Sequence, residues 1–389
     1  MTLKQYSLVL YDTSDFEKFP IGGQLTSVRN FLRFIAEQHT EDADSILLVG
    51  VTTEDHEVGK IQKVIIRNVS FDFLPVLYRN SDLSSVQKSL RTEYLKALCR
   101  SKKLLPGSKG VVHYLHTPEA FIYLKTFHPF CKTAIFSHGS FFNMVSGFRF
   151  YQNSKLIGPM FNGFLKFLLR KADLIFTLDQ VSTDQYLPYN ENVIQVENSV
   201  VLPKRTENSK VLHDPARLLF VGRLSKVKRI DGIIRAVAAM DREELTIVGD
   251  GEERENLLAL TSELNIENRV HFVGAVKPAA VSELMEQNDI LVMNSTVEGK
   301  PMTIIEALSH GLPVIATPVG GIPEMVTDGE NAVLTDGTET SIECSVGKIE
   351  GNFETFSQNA LRESKKYDYR IVNKEIYSAL LEVNASVKR

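Results

Sequence analysis

The sequence predicts an α/β protein made of two doubly wound, Rossmann-like domains, and three observations lead there. Apolar runs of strand length alternate with helical patterns, 389 residues with 43% hydrophobic content suffice for two cores, and one charged stretch without periodicity interrupts the alternation. Leu8-Val9-Leu10 opens the chain as a strand, Gly22-Gly23 turn it, and Gln24 to Gln38 follow as a helix. Ser45 to Gly50, Gly110 to Leu115, Lys132 to Phe136 and Ala172 to Thr177 then read as buried parallel strands. Val201 to Pro215 carries Pro203, Asn208 and Pro215 among Lys204, Arg205, Glu207, Lys210 and Asp214, and reads as a linker. The first domain is therefore expected over residues 1–205 and the second over 213–368. Strand runs in the second are Arg217 to Val221, Glu244 to Val248, Val270 to Val273, Asp289 to Met293 and Leu312 to Ala316. Two such domains are expected to meet across a cleft at the carboxyl ends of their strands, where open parallel sheets bind ligands.

Bulk properties narrow the function classes. A net charge of -4 argues against a general nucleic-acid binder and leaves small molecules as the expected partners. Cys99, Cys131 and Cys344 are odd in number and widely separated, which speaks against a disulfide framework or a structural zinc site and for a reducing cytosol. The N-terminus lacks the apolar core and cleavage site of a secretory signal. No segment has the ~20 uncharged apolar residues needed to span a bilayer.

The most informative stretch is Glu298-Gly299-Lys300-Pro301-Met302-Thr303 with Glu306 behind it. Pro301 suits a first helical position, so the amides of Met302 and Thr303 should point unpaired at whatever precedes the helix, and a diphosphate is their natural occupant. Glu306, one turn further in, has the reach to accept hydrogen bonds from two vicinal hydroxyls, while Glu298 in the preceding loop has the reach to orient a second polyol. Helix, glycine stop, buried strand and glycine turn continue through Gly311, Leu312 to Thr317, and Gly320-Gly321.

From Asn294 to Glu324 the chain resembles the nucleotide-binding core of the retaining glycosyltransferases of family 4, glycosyl transferases group 1, which carry two glutamates at this spacing. That resemblance implies the GT-B architecture, in which the last helix crosses back onto the first domain; residues 369–389 supply one, with Tyr369 to Val383 helical. It also implies a nucleoside-diphosphate sugar as co-substrate, no further cofactor and no metal.

Leu218 to Lys228 reads as a strand, a turn at Gly222 and two cations, followed by an apolar-periodic helix from Ile230 to Met240. Arg223 has the fork geometry for phosphate oxygens and Lys228 adds a point charge. In the family the matching pair neutralises the departing diphosphate. Lys226 reads as an ordinary surface cation. Gly249 with Asp250 forms a second glycine turn after a strand, and the turn after Val273 resembles the one whose backbone reads the base.

In the first domain Gly22 and Gly23 match the family's glycine loop that faces the donor phosphate; an ordinary turn has the same composition. The loop from Asp12 to Phe19 is longer and more charged than that pattern. His138, after its strand, resembles the histidine that touches the donor sugar, whereas His113 and His116 read as packing residues. Asp42-Ala43-Asp44 has the Asp-x-Asp spacing with which another glycosyltransferase architecture holds a divalent ion, but it precedes its strand and reads as a solvated loop. Residues 147–171 interleave Arg149, Lys155, Lys166, Arg170 and Lys171 with aromatic and aliphatic residues, which suits either a peripheral membrane contact or a core helix with a cationic edge.

The resemblance implies a metal-independent, retaining transferase that moves a hexose-type sugar to a hydroxyl of a glycan or lipid-linked acceptor in surface polysaccharide or glycoconjugate synthesis. Glu298, His138, Arg223 and Lys228 are its candidate catalytic residues. A cytoplasmic location, open to contact with the inner face of the plasma membrane, accompanies that reading. Two rivals stay open: a sugar-nucleotide epimerase of the same architecture, and a non-catalytic glycan-binding partner of a transferase.

Overall fold

A computed structural model of the chain describes residues 4–17, 23–54, 57–79, 90–106, 110–138, 157–203 and 210–386. It divides into two compact units, Met1–Ser199 with Tyr369–Arg389, and Val200–Asp368.

The first unit holds strands β1 (Leu8–Tyr11), β2 (Ile46–Thr52), β3 (Gln62–Ile66), β4 (Val69–Tyr78), β5 (Val112–Leu115), β6 (Lys132–Phe136), β7 (Leu174–Thr177) and β8 (Val193–Gln195). They form one eight-stranded sheet in the order β3-β4-β2-β1-β5-β6-β7-β8. Among the described residues only the β3 and β4 pair is antiparallel. Leu8 of β1 pairs with Ile46 on one side and Val112 on the other.

Both faces are covered, which is why the central strands are apolar throughout rather than alternating. Val9, Tyr11, Leu47, Val49, Leu115 and Ile135 enter one core, beneath helices Leu90–Arg100, Pro118–Phe127 and Ile157–Leu169. Leu8, Leu10, Ile46, Leu48, Tyr114 and Phe136 enter the other, beneath helices Gly23–Gln38 and Tyr369–Ala385. The last helix sinks Val372, Ile376 and Leu380 into that second core, and its Tyr377 hydroxyl donates to Asp42 at 2.6 Å.

The second unit holds β9 (Arg217–Val221), β10 (Glu244–Val248), β11 (Val270–Gly274), β12 (Ile290–Met293), β13 (Val314–Ala316) and β14 (Ala332–Leu334). All are parallel, in the order β11-β10-β9-β12-β13-β14. Leu218, Phe220, Ile247 and Val292 pack under helices Ile230–Ala239, Arg254–Glu263 and Glu339–Glu350. Leu219, Val248, Leu291 and Met293 pack on the opposite face against helix Met302–Ser309.

The short strands β8 and β14 were not expected, and two further features differ from the sequence reading. The β3 and β4 hairpin was not expected, because its turn is Arg67-Asn68, at φ +50 and +64, without the glycine that usually marks such turns, and Asp72 and Pro75 interrupt β4. Lys210, read as a linker charge, is buried: its ammonium donates to the carbonyls of Met285 and Glu286 at 2.8 and 2.9 Å and to that of Asn288, closing the end of helix Pro278–Gln287. A cation there satisfies carbonyls that the helix leaves unpaired.

Candidate active site

In each sheet the chain starts at the middle and winds outward in both directions, so each has a point where strand order reverses. The loops at the carboxyl ends diverge there and leave a crevice. In the second unit this point lies between β9 and β12. The loop after β9 carries Gly222, Arg223 and Lys228; the loop after β12 carries Asn294, Ser295 and Glu298.

The β9 turn is held by the donation of Gly222 N to Val248 O at 2.9 Å. Gly249 stands against it at φ +133, where a Cβ would lie 1.9 Å from the Gly222 carbonyl oxygen, so only glycine fits. Gly249 N in turn donates to Gly274 O at 2.9 Å, next to Val273. Asp250 accepts from Leu224 N through its carbonyl at 3.0 Å and from Gly251 N through its carboxylate at 2.8 Å. Asp250 thus shapes the turn. Arg223 leaves the same turn with 74% of its side chain exposed, forked onto Glu252, itself 52% exposed, at 3.1 and 3.2 Å. A solvated pair of this kind is held weakly.

Lys228 ends a short turn from Lys226, and Arg229 follows in the left-handed region at φ +43. A clamp holds Arg229 there: its guanidinium donates to Asn294 O at 3.0 Å and Asn294 Oδ1 at 2.7 Å, and Asn294 Nδ2 donates back to Arg229 O at 3.3 Å and to Gly337 O at 3.2 Å. The two crevice loops are thereby fastened together. Across the fastening Lys228 Nζ meets Glu298 Oε1, which also accepts from Ser295 Oγ at 2.6 Å. The cation expected on phosphate and the acid expected on a sugar are partners in this structure.

The Glu298 to Lys300 loop is pressed from behind by a glycine turn. A Cβ on Gly320, at φ +57, would lie 1.8 Å from Glu298 O, and Gly321 N donates to Gly299 O at 2.9 Å. Lys300 corrects an expectation for its side chain: it is fully buried and its ammonium meets Glu324 at 3.2 Å, so it braces the loop instead of offering a charge to a ligand. Pro301 stands one position earlier than expected, as the N-cap of helix Met302–Ser309. Proline has no side-chain acceptor to close the cap, and among the described residues nothing accepts from the amides of Met302 or Thr303.

Glu306, one turn inside, is half-buried, and burial pushes its carboxyl up to about 7. Its carboxylate has no hydrogen bond or ion pair among the described residues. A carboxylate in that state favours ligands that bring hydroxyl donors.

In the first unit the reversal lies between β1 and β5. Gly22 lies outside the described residues; Gly23 opens helix Gly23–Gln38. Asp12 follows β1, buried, its carboxyl pushed up to about 6 by burial. Gln24 Nε2 donates to Asp12 Oδ2 at 2.6 Å and to His116 O at 3.3 Å. His116, read as a packing residue, is buried but bonded: its Nδ1 lies 2.8 Å from Nε2 of His138. Burial holds His138 down to about 3, hence neutral at physiological pH. His113 does pack, bonded to the Tyr11 hydroxyl at 3.1 Å.

Asp42 and Asp44 sit at the amino end of β2, away from the reversal, and Asp42 is bonded to Tyr377. The ligand atoms of His39, Glu41 and Asp42 lie within 4.8 Å of one another. Residues 147–156 of the basic aromatic segment lie outside the described residues. Helix Ile157–Leu169 buries Leu165, Leu168 and Leu169, while Met160, Phe164 and Phe167 are 76%, 40% and 51% exposed. No helix among the described residues is long and apolar enough to cross a membrane.

Asp12, Gln24, His116, Arg229, Asn294 and Ser295 were not anticipated at a site. Each owes its place to strand order or to a contact across loops, which spacing does not carry.

Comparison with known proteins agrees with this fold. Residues 204–351 match the family model of glycosyl transferases group 1. N-acetyl-alpha-D-glucosaminyl L-malate synthase of Bacillus anthracis is 29% identical over 197 residues, 47% of this chain and 51% of that protein. The O-antigen biosynthesis glycosyltransferase WbnH of Escherichia coli is 32% identical over 175 residues, 45% of this chain and 48% of that protein. The chain thus spans about half the length of these curated relatives. Sucrose-phosphate synthase of Thermosynechococcus elongatus superposes with a TM-score of 0.75 at 16% identity over 98% of this chain and 99% of that one. The fold is the GT-B fold that the resemblance implied, and the second unit carries a glycosyl transferases group 1 domain.

Proposed function

We propose that the chain is a glycosyltransferase of family 4, retaining and metal-independent, that moves a hexose-type sugar from a nucleoside-diphosphate sugar to an acceptor hydroxyl in surface polysaccharide or glycoconjugate synthesis. One observation carries the reading: an unpartnered, half-buried Glu306 stands one turn behind two open helix amides, at a strand-order reversal that also holds Lys228. Open amides and a cation suit a diphosphate, and an unpaired carboxylate suits the vicinal hydroxyls of a ribose.

In the transfer the bond from the anomeric carbon to the diphosphate oxygen breaks and one from the acceptor oxygen forms. The acceptor proton passes to the departing diphosphate. Negative charge grows on that diphosphate, where the amides of Met302 and Thr303, Lys228 and Arg223 would oppose it. The diphosphate takes Lys228 in place of Glu298, which keeps Ser295 and turns to the sugar. Retention of configuration rests on the family resemblance. Metal independence rests on two cations doing the neutralising, so undiminished transfer in a chelator is expected, and stimulation by a divalent ion would withdraw it.

The deciding experiment is calorimetry with nucleoside diphosphates and their sugars on the wild type and Glu306→Gln. Binding by the wild type and a loss of about tenfold or more in the variant are expected; equal affinities would remove the ribose assignment, and no binding at all would remove the donor.

A cytoplasmic, membrane-facing location belongs to the same proposal. Met160, Phe164 and Phe167 recur at helical spacing along one exposed stripe of helix Ile157–Leu169, and Lys171, just past its end, sets its Nζ 4.4 Å over the Phe167 ring. Vesicles with anionic lipid should retain the wild type and release Phe164→Ser/Phe167→Ser, whereas equal retention would reject the contact.

A further inference from the structure

The histidine pair of the first unit carries more than the assignment of His138. His116 follows β5, and His138 follows β6, the neighbouring strand. Phe136 packs against both: its ring stacks on His116 at 5.1 Å and 16°, and lies 4.7 Å from His138. Tyr114 closes the other side of His116, edge-on at 4.6 Å. His116 is thus buried between two rings, and one bond joins its Nδ1 to Nε2 of His138.

One proton sits in that bond, and two arrangements of neutral rings are open. If His138 donated from Nε2, His116 would accept on Nδ1 and carry its own proton on Nε2. His116 Nε2 is buried without a partner. A buried N–H without an acceptor is the rarer and costlier defect; an unused lone pair is tolerated better. The proton therefore belongs on His116 Nδ1, donated to His138 Nε2. Neutral His138 must then carry its own proton on Nδ1, which has no partner among the described residues.

We propose that His116 is a positioning residue that locks His138 into the Nδ1–H tautomer, so that His138 offers a fixed, uncharged N–H to an oxygen acceptor on a carbohydrate. The identity of the ligand rests on the glycosyltransferase reading; the lock does not. An uncharged donor of fixed direction selects a hydroxyl or carbonyl oxygen and gains nothing particular from an anion.

Long-range proton–nitrogen correlation spectra of protein labelled at its nine histidines read the tautomers directly. Resonances are assigned by His116→Phe and His138→Phe. Expected are protons on Nδ1 of both rings in the wild type, and a shift of His138 toward Nε2–H or a mixture in His116→Phe. A proton on His138 Nε2 in the wild type, or an unchanged His138 in that variant, overturns the proposal.

His116→Asn keeps an amide N–H where Nδ1 stands. It should recover transfer that His116→Phe lowers by about tenfold, the scale of one hydrogen bond. If the tautomers are as stated but no carbohydrate binds, the lock stands and the glycosyltransferase reading falls. If transfer is seen with the opposite tautomer, the reverse holds.

Discussion

At Glu306 the position was legible in the sequence but its state was not. Spacing and a helix start place a carboxyl there; only the packed helix shows that nothing among the described residues pairs with it and that burial raises it to about 7 from 4.5. Below about pH 4.5 both the folded and unfolded chains hold the proton, and burial is free of charge cost. Between 4.5 and 7 the unfolded chain releases it while the folded one does not, so stability falls as pH rises, and it levels off above 7. Glu306→Gln should flatten this slope and gain up to about 3 kcal/mol at pH 8, measured by urea unfolding across pH. Ligand binding should run the other way. Hydroxyls that donate to the ionised carboxylate favour its charged form, so donor affinity is expected to climb from pH 6 to pH 8, with proton release in calorimetry at pH 6. A flat profile would separate Glu306 from the ligand. Lys300 gives the opposite lesson: its charge looks like an anion contact in the sequence, and its partner Glu324 lies in the short helix after the next glycine turn, a proximity that sequence distance hides.

At the scale of elements, sustained patterns were legible and short or interrupted ones were not. Arg217–Val221 and Glu244–Val248 coincide with their expected runs, because strands covered on both faces stay apolar throughout. Val193–Gln195 and Ala332–Leu334 are three residues each, too short to print a period. The joint between the loops after β9 and β12 could not be anticipated either, since Arg229 and Asn294 are far apart in the chain and Arg229 adopts a backbone that glycine would signal. Asn294→Ala strips the guanidinium of Arg229 of an acceptor and leaves its left-handed backbone unsupported. A loss of about 2–3 kcal/mol is expected in thermal or urea unfolding. Lys228 and Glu298 flank that joint, so donor affinity should fall with it. An Asn294→Ala protein of wild-type stability and affinity would show the joint to be incidental.

For the whole molecule, the alternation of strands and helices announces two doubly wound sheets, but strand order decides where the crevices lie, and that order comes from long-range pairing. Asp12 and His116 are strand-end residues like many others until β1 and β5 prove to be neighbours. Removing residues 369–389 uncovers the face of the first sheet that Val372, Ile376 and Leu380 protect. The truncated chain should lose the calorimetric unfolding transition of its first unit while the second retains its own. Two intact transitions would mean the final helix is dispensable.

That helix also sets a timetable for synthesis. The opening two hundred residues emerge from the ribosome first, yet the piece that seals their hydrophobic surface is translated after all of Val200–Asp368. Newly made chains must therefore carry an unsealed apolar surface while Val200–Asp368 is being made, a substrate for chaperones, and the later-made unit reaches its final form earlier. Protease treatment of stalled nascent chains should find the middle of the polypeptide resistant before its beginning.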